Sequence, residues 1–314
     1  MVTATFTELA EDYLAMRRGP GCRRETCLRG FAGFLDRSGQ RGPVPLSLSA
    51  GWATATSASD PRNPARRLAA VRGFLRHLAT LDGSTEIPAP GPIGPARHRT
   101  PPHVCSDDEI ASLLRAAAAL SPERGLRPQC YVTLFSLLAC TGLRICEALA
   151  LARDDVDLAE GVITVRAGKG GKSRLVPLHE SALEPLRACL SRRDRFGATA
   201  GSAAFFRTDD HDRLTCAAVR STFRGLRRRL GWSGEGRTRP PRIHDLRHRM
   251  AVKRLLAWHA ENAEVDAKLA ALATYLGHVG VSDLYWCFSA TPELMVVAAE
   301  RFAALDEQSP AGAR

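Results

Sequence analysis

Residues 87–103, IPAPGPIGPARHRTPPH, put six prolines into one short stretch with neither helical nor strand periodicity in its apolar residues. Proline fixes φ, lacks an N–H donor and pushes the preceding residue out of the helical region, so such a run enters neither a helix nor the middle of a sheet. It reads as an extended, semi-stiff connector. The chain on either side must then build its own core. We expect a helical domain over residues 1–86, a linker over 87–104 and a second domain over 105–314.

Before the connector, Phe6, Leu9, Ala10, Tyr13 and Leu14 share one helical face, and Cys27, Leu28, Phe31, Phe34 and Leu35 repeat the spacing. A third helix opens with Asn63 as N-cap and Pro64 in the first turn, and buries Leu68, Val71, Leu75 and Leu78. Beyond the connector, Ser106 and Glu109 form a capping box ahead of the stripe Ile110, Leu113, Leu114 and Ala117. Helices are expected near 127–140 and 142–152. GVITV (161–165) and SRLVPL (173–178) then flank AGKGGK as strand, glycine-rich turn and strand. Further helices are expected near 215–231, 244–258, 264–276 and 280–305, and no internal repeat is present. The expected class is mainly α, with a small β-hairpin sheet that makes the second domain mixed α+β.

No apolar run reaches the roughly 18 residues that span a bilayer, so no membrane role is expected. The N-terminal MVTATFTELAEDYL is amphipathic and acidic, unlike a secretory leader, which points to a soluble cytoplasmic protein. Nine cysteines without a C-x-x-C pair read as reduced packing residues, and neither a metal nor another cofactor is expected. Of the 44 basic residues only Lys169, Lys172, Lys253 and Lys268 are lysine, a bias that explains which cation is used. It does not explain why 33 acidic residues leave a net charge of +11. An excess of that size points to a polyanionic partner, nucleic acid first.

Four islands carry candidate chemistry: TGLRICEALAL around Arg144, GKGGKSRLVPL around Lys169, HDLRH from His244 to His248, and LGH ending at His278. An arginine at a helix start sets a guanidinium fork beside backbone N–H groups, which suits a phosphate oxygen. A plain surface arginine is the alternative. His244 and Arg247, three apart, share one helix face and can grip one anion. Two of the four lysines fall in a single glycine-rich turn, where a mobile lysine can deliver a proton. His278 could equally end a helix as a core histidine.

In order and spacing these islands resemble the catalytic domain of the tyrosine recombinases, the phage integrase and Xer family. The N-terminal helices resemble that family's SAM-like core-binding module, so the likeness covers most of the chain. It implies the DNA breaking-rejoining enzyme fold and site-specific DNA recombination or integration. By that resemblance Arg144 and Arg247 would bind the non-bridging oxygens of the scissile phosphate. Lys169 would protonate the leaving 5′ oxygen, with Lys172 as substitute, and His244 and His278 would assist in proton transfer. The family's tyrosine attacks phosphorus to form a 3′-phosphotyrosyl link, without metal or ATP.

The sequence departs from the family at one position. The nucleophilic tyrosine stands nine residues after the histidine matched by His278, and that position here is Cys287. The nearest tyrosine, Tyr285, would point about 200° away from position 287 on a helix. Three readings stay open. Tyr285 attacks from an irregular segment or a neighbouring protomer; Cys287 attacks as a thiolate, a nucleophile poorly matched to phosphorus; or the chain holds the phosphate without forming an adduct.

The resemblance also implies partners: duplex DNA, further copies of the chain up to a tetramer on DNA, or an active recombinase in a hetero-assembly on the nucleoid. The connector would hinge a clamp around the duplex. Lys172, Arg174, Arg220, Arg224 and Arg227 are the expected DNA contacts. The competing reading is an architectural or accessory DNA-binding protein without cleavage of its own. Against it stands the complete set of Arg144, Lys169, His244, Arg247 and His278, since a long-abandoned site would be expected to lose some of them.

Overall fold

The structure, a computed structural model, describes residues 4–17, 22–55, 63–89, 102–166, 168, 171–195, 203–210, 212–234, 239–261, 263–278, 280, 284–285, 288, 294–297 and 299. It divides into two compact units, Met1–Arg99 and Thr100–Arg314.

Among the described residues the first unit holds four helices, α1 (Phe6–Met16), α2 (Cys22–Arg37), α3 (Leu46–Thr54) and α4 (Asn63–Asp82). α1 starts with a capping box from Thr5 and Glu8. Asp36 near the end of α2 also accepts the Phe6 and Thr7 N–H groups at 2.9 and 3.1 Å, which ties the two helices end to start. The expected stripes close one core around the fully buried Phe31, Leu35, Phe74 and Leu75. α3 is an element the sequence did not announce. Its Trp52 is buried against Phe31, with ring centroids 4.8 Å apart, and anchors a segment that has little one-sided patterning. α4 takes Asn63 into the helix itself, one position away from the expected N-cap.

The second unit contains α5 (Asp107–Ala118), α6 (Arg127–Thr141), α7 (Ile145–Ala150), a 3-10 turn (Arg153–Asp155), β1 (Val156–Asp157), β2 (Val162–Val165), β3 (Arg174–Pro177), α8 (Glu180–Arg195), α9 (Cys216–Arg229), α10 (Asp245–Ala260) and α11 (Val265–Leu276). The strands form one antiparallel sheet in the order β1-β2-β3, with Ile163 opposite Val176 and Val165 opposite Arg174. The capping box of Ser106 and Glu109 is present as expected. α6 is apolar on nearly every face, and such a helix is stable only when surrounded. It is packed by α5, α8 and α10. Its buried position fixes where its C-terminal end, Thr141 and Gly142, emerges. β1 and α8 were not anticipated, whereas β2, its turn and β3 were. The class is therefore mainly α with a small antiparallel sheet. Among the described residues no helix is long and apolar enough to cross a membrane.

Candidate functional site

Two helix ends build the site. α6 stops at Gly142 (φ 65°) and α11 at Gly277 (φ 67°), both in the left-handed region that glycine enters without a Cβ penalty. At α11 the Gly277 and His278 N–H groups bond back to Thr274 and Ala273 at 2.9 and 2.8 Å, the Schellman pattern. The end carbonyls left over are taken by arginines. Arg247 donates from Nη1 to the Gly142 carbonyl (2.6 Å) and from Nη2 to the Leu276 carbonyl (2.7 Å), and it is buried. Arg144, at the N-cap of α7, donates from Nη2 to the Gly277 carbonyl at 2.7 Å. Hydrogen bonds from charged donors are each worth about 1.5–3 kcal/mol, so α6, α7, α10 and α11 are fastened together here. A Cβ on Gly277 would stand 2.7 Å from Arg174 Nη1 and 3.3 Å from Arg144 Nη1, so a side chain there would displace the first guanidinium and crowd the second.

Glu147 completes the arginine cluster and was missed in the sequence. Its side chain is only 8% exposed, and its carboxylate accepts from Arg144 Nη1 (2.7 Å), the Arg144 N–H (3.1 Å) and Arg174 Nη2 (2.8 Å). Burial alone would raise the carboxyl, but hydrogen bonds from Arg174 and Arg144 outweigh it and hold Glu147 below its ordinary value. Arg174 was expected at the DNA. It lies instead largely buried on β3, held by Glu147 and by a 2.8 Å bond from Nε to the Tyr275 carbonyl.

Three histidines share the neighbourhood. His244 just precedes α10 and keeps an exposed edge, and its ring stands edge-on to that of buried His248, with centroids 4.8 Å apart. Burial, then His248 and Arg247, push His244 down to about 4. Burial likewise pushes His248 to about 4, with Arg239, Arg247 and His278 adding to the effect against an opposing Asp245. Both rings are thus neutral at pH 7, able to donate one N–H and accept at the other nitrogen. Asp245 is fully buried. It receives both Arg239 Nη atoms at 2.7 and 2.6 Å and the Arg242 N–H at 2.7 Å, and so fixes the loop leading into His244. Both lie in the HDLRH island, but the sequence assigned a role to neither Asp245 nor His248.

Beside His244 opens a cleft of about 700 Å³ lined by Ile145, Ala217, Arg220, Arg224, Arg227 and Arg242 among others. Arg220 and Arg224 are exposed on α9, whereas Arg227 donates to the Pro241 carbonyl at 3.2 Å. Lys172 is exposed beside the β2–β3 turn. Lys169 and Cys287 lie outside the described residues. Gly168, next to Lys169, bonds to the Lys172 carbonyl at 2.8 Å, and a Cβ on it would stand 3.4 Å from Arg174 Nη1 and Glu147 Oε1. The base of the lysine turn therefore rests on the arginine cluster. Tyr285 is 59% exposed and borders a different cavity, of about 530 Å³, with Leu255, His259 and Phe288. Leu255 and His259 are about 12 and 18 Å along the α10 axis from Arg247 at 1.5 Å per residue.

Among the described residues one group offers donors for a metal ion, His103, Cys105 and Glu109, whose ligand atoms lie within 4.8 Å of one another. Hydrogen bonding already employs the group: His103 Nε2 reaches both Glu109 oxygens at 2.9 Å, and Glu109 caps α5. It stands apart from the arginine cluster in the sequence and shares no hydrogen bond with it.

Residues 104–284 match the model of the phage integrase family. The chain is 38% identical over 308 residues to a Sinorhizobium fredii protein bearing the name integrase/recombinase y4rB, covering 95% of this chain and 97% of the relative. It is 32% identical over 230 residues to tyrosine recombinase XerD of Mycobacterium tuberculosis, covering 72% of this chain and 69% of the relative. The fold is shared with the Tn1549 transposon integrase solved in complex with transposon right end DNA, at TM-score 0.66 and 16% identity over 96% of this chain and 100% of that one.

Proposed function

The chain belongs to the phage integrase family of tyrosine recombinases, and from that premise we propose that it binds duplex DNA and seats one backbone phosphate at the junction of α6, α7, α10 and α11, as a site-specific recombinase does, without forming the phosphotyrosyl bond by itself. The observation that carries this reading is the gathering of Arg144, Arg247, His244 and His278 at two glycine-capped helix ends. Arg144, with its side chain 23% exposed, presents a guanidinium fork to a phosphate oxygen. Buried Arg247 adds fixed positive charge behind it, neutral His244 offers an N–H donor to a remaining oxygen, and His278 stands at the same helix end. Such donors, already in place before substrate arrives, stabilise a pentavalent phosphorane more than the ground-state diester. Glu147 and Arg174 are positioning residues. The turn carrying Lys169 is based against them, which suits delivery of a proton to the leaving 5′ oxygen.

Duplex DNA runs past the cleft of α9, with Arg220 and Arg224 on its phosphates and Lys172 on the flank, and the connector over 87–104 links the two DNA-contacting domains. The nucleophile is the missing part. Cysteine occupies the family's tyrosine position, and Tyr285 borders a cavity farther along α10. Strand cleavage then takes place in assembly with an active recombinase, this chain supplying DNA contacts and architecture.

Covalent trapping on a nicked suicide duplex tests the reading. The parent, Tyr285→Phe, Cys287→Ser and Cys287→Tyr are compared on a denaturing gel, with binding measured separately. The parent should bind DNA and form no adduct, while Cys287→Tyr forms one. An adduct from the parent that disappears in Cys287→Ser or in Tyr285→Phe would overturn the missing nucleophile and identify it. Absence of duplex binding would overturn the reading altogether.

A further inference from the structure

α7 and α9 meet at two sulfur atoms. The Sγ atoms of Cys146 and Cys216 lie 3.1 Å apart although the residues are 70 positions apart in the chain. Packing cysteines are normally buried, yet Cys146 is exposed and Cys216 only half-buried. Each sits beside functional ground. Cys146 is two residues beyond Arg144, and Cys216 opens α9 directly after its N-cap Thr215. Their neighbours Ile145, Ala217 and Arg220 line the basic cleft.

We propose that Cys146 and Cys216 form an oxidisable dithiol that a peroxide converts to a disulfide, bolting the helix of Arg144 to the helix of the basic cleft. The exposed Cys146 sulfur attacks hydrogen peroxide, breaks the O–O bond, becomes a sulfenic acid and releases one water. The Cys216 sulfur then attacks the sulfenic sulfur and the S–O bond breaks. Its thiol proton leaves with the departing oxygen as a second water, so two thiols are oxidised by two electrons and one peroxide is reduced. Closing the bond requires the sulfurs to approach by about 1 Å, to a length of roughly 2.05 Å. Burial and the hydrogen bond with Cys146 push the Cys216 thiol up to about 11. Cys216 therefore keeps its proton at neutral pH and acts second, as the resolving thiol.

The test uses the reduced full-length protein, titrated with hydrogen peroxide and digested without reductant for peptide mass spectrometry. The expected result is a peptide pair joined through Cys146 and Cys216, removed by dithiothreitol and absent from Cys146→Ser and Cys216→Ser. Sulfinic acid at Cys146 with no linked pair would overturn the proposal, as would linkage of either cysteine to a different thiol. A second arm rests on the proposed DNA-binding reading. Duplex present at ten times its Kd leaves about one-eleventh of the protein free, so linkage should slow about tenfold. Linkage without any duplex binding would refute the DNA reading and leave the dithiol standing; binding without linkage would do the reverse.

Discussion

Both carboxylate oxygens of Glu147 receive guanidinium N–H groups, so this one residue balances Arg144 and Arg174 together. Glu147→Gln removes the charge and turns an amide donor toward Arg174. Taking one partner out of a buried ion pair costs about 3–5 kcal/mol, which urea denaturation should register, together with weaker duplex binding than any exposed-arginine substitution produces. The sequence displayed Arg144 by its setting after T-G-L, but a glutamate three residues into a helix looks like an ordinary capping residue. The charge it answers comes from Arg174, on another element. The histidines supply a pH signature. In the unfolded chain they titrate near 6.5, and in the folded protein His244 and His248 titrate at about 4. As pH falls, the unfolded chain takes up protons first. Their contribution to stability is therefore complete above about 6.5, declines from there to about 4, and is gone below. Urea midpoints at pH 7.5, 5.5 and 4.5 should fall in that order. A bound duplex, by raising both values, should flatten the decline, and midpoints independent of pH across this window would refute the assignment.

α9 is the element on which the charge argument becomes local. Arg220 and Arg224 are exposed one turn apart on the face that borders the cleft. Each phosphate neutralised contributes about 0.9 to the slope of log affinity against log salt, so Arg220→Ala with Arg224→Ala should lower that slope by about 1.8. An unchanged slope would remove α9 from the interface. At this scale the amphipathic helices and the β2–turn–β3 hairpin were readable, because their periodicity is set by burial on one side. α3 was not, since LSLSAGWAT carries a single anchor, Trp52, and no stripe. α8 was hidden by Pro185 within it and by three arginines in its last turn. β1 is two residues long and exists only through its pairing with β2. α10 buries Asp245, Arg247 and His248, which hydropathy alone assigns to the surface.

For the molecule as a whole, the net charge of +11 points to an interface whose affinity falls with salt. A protein holding six to ten phosphates loses about 10³–10⁵ in affinity between 50 and 200 mM salt, and a nonspecific duplex titrated in fluorescence anisotropy should show a loss of at least the lower figure. Affinity that ignores salt would contradict a phosphate-tracking interface. Four islands scattered from Arg144 to His278 could be recognised in sequence by order and spacing. Their convergence could not, because it depends on backbone carbonyls, the ends of α6 and α11, that no sequence pattern records. Those carbonyls give the arginines a second occupation. Arg247 joins Gly142 to Leu276, and Arg144 reaches Gly277, whether or not a phosphodiester is ever cut. A copy that loses its nucleophile and drifts under selection for folding alone still cannot shed these arginines without loosening four helices. Retention of these two arginines is thus accounted for by the fold itself, independently of turnover.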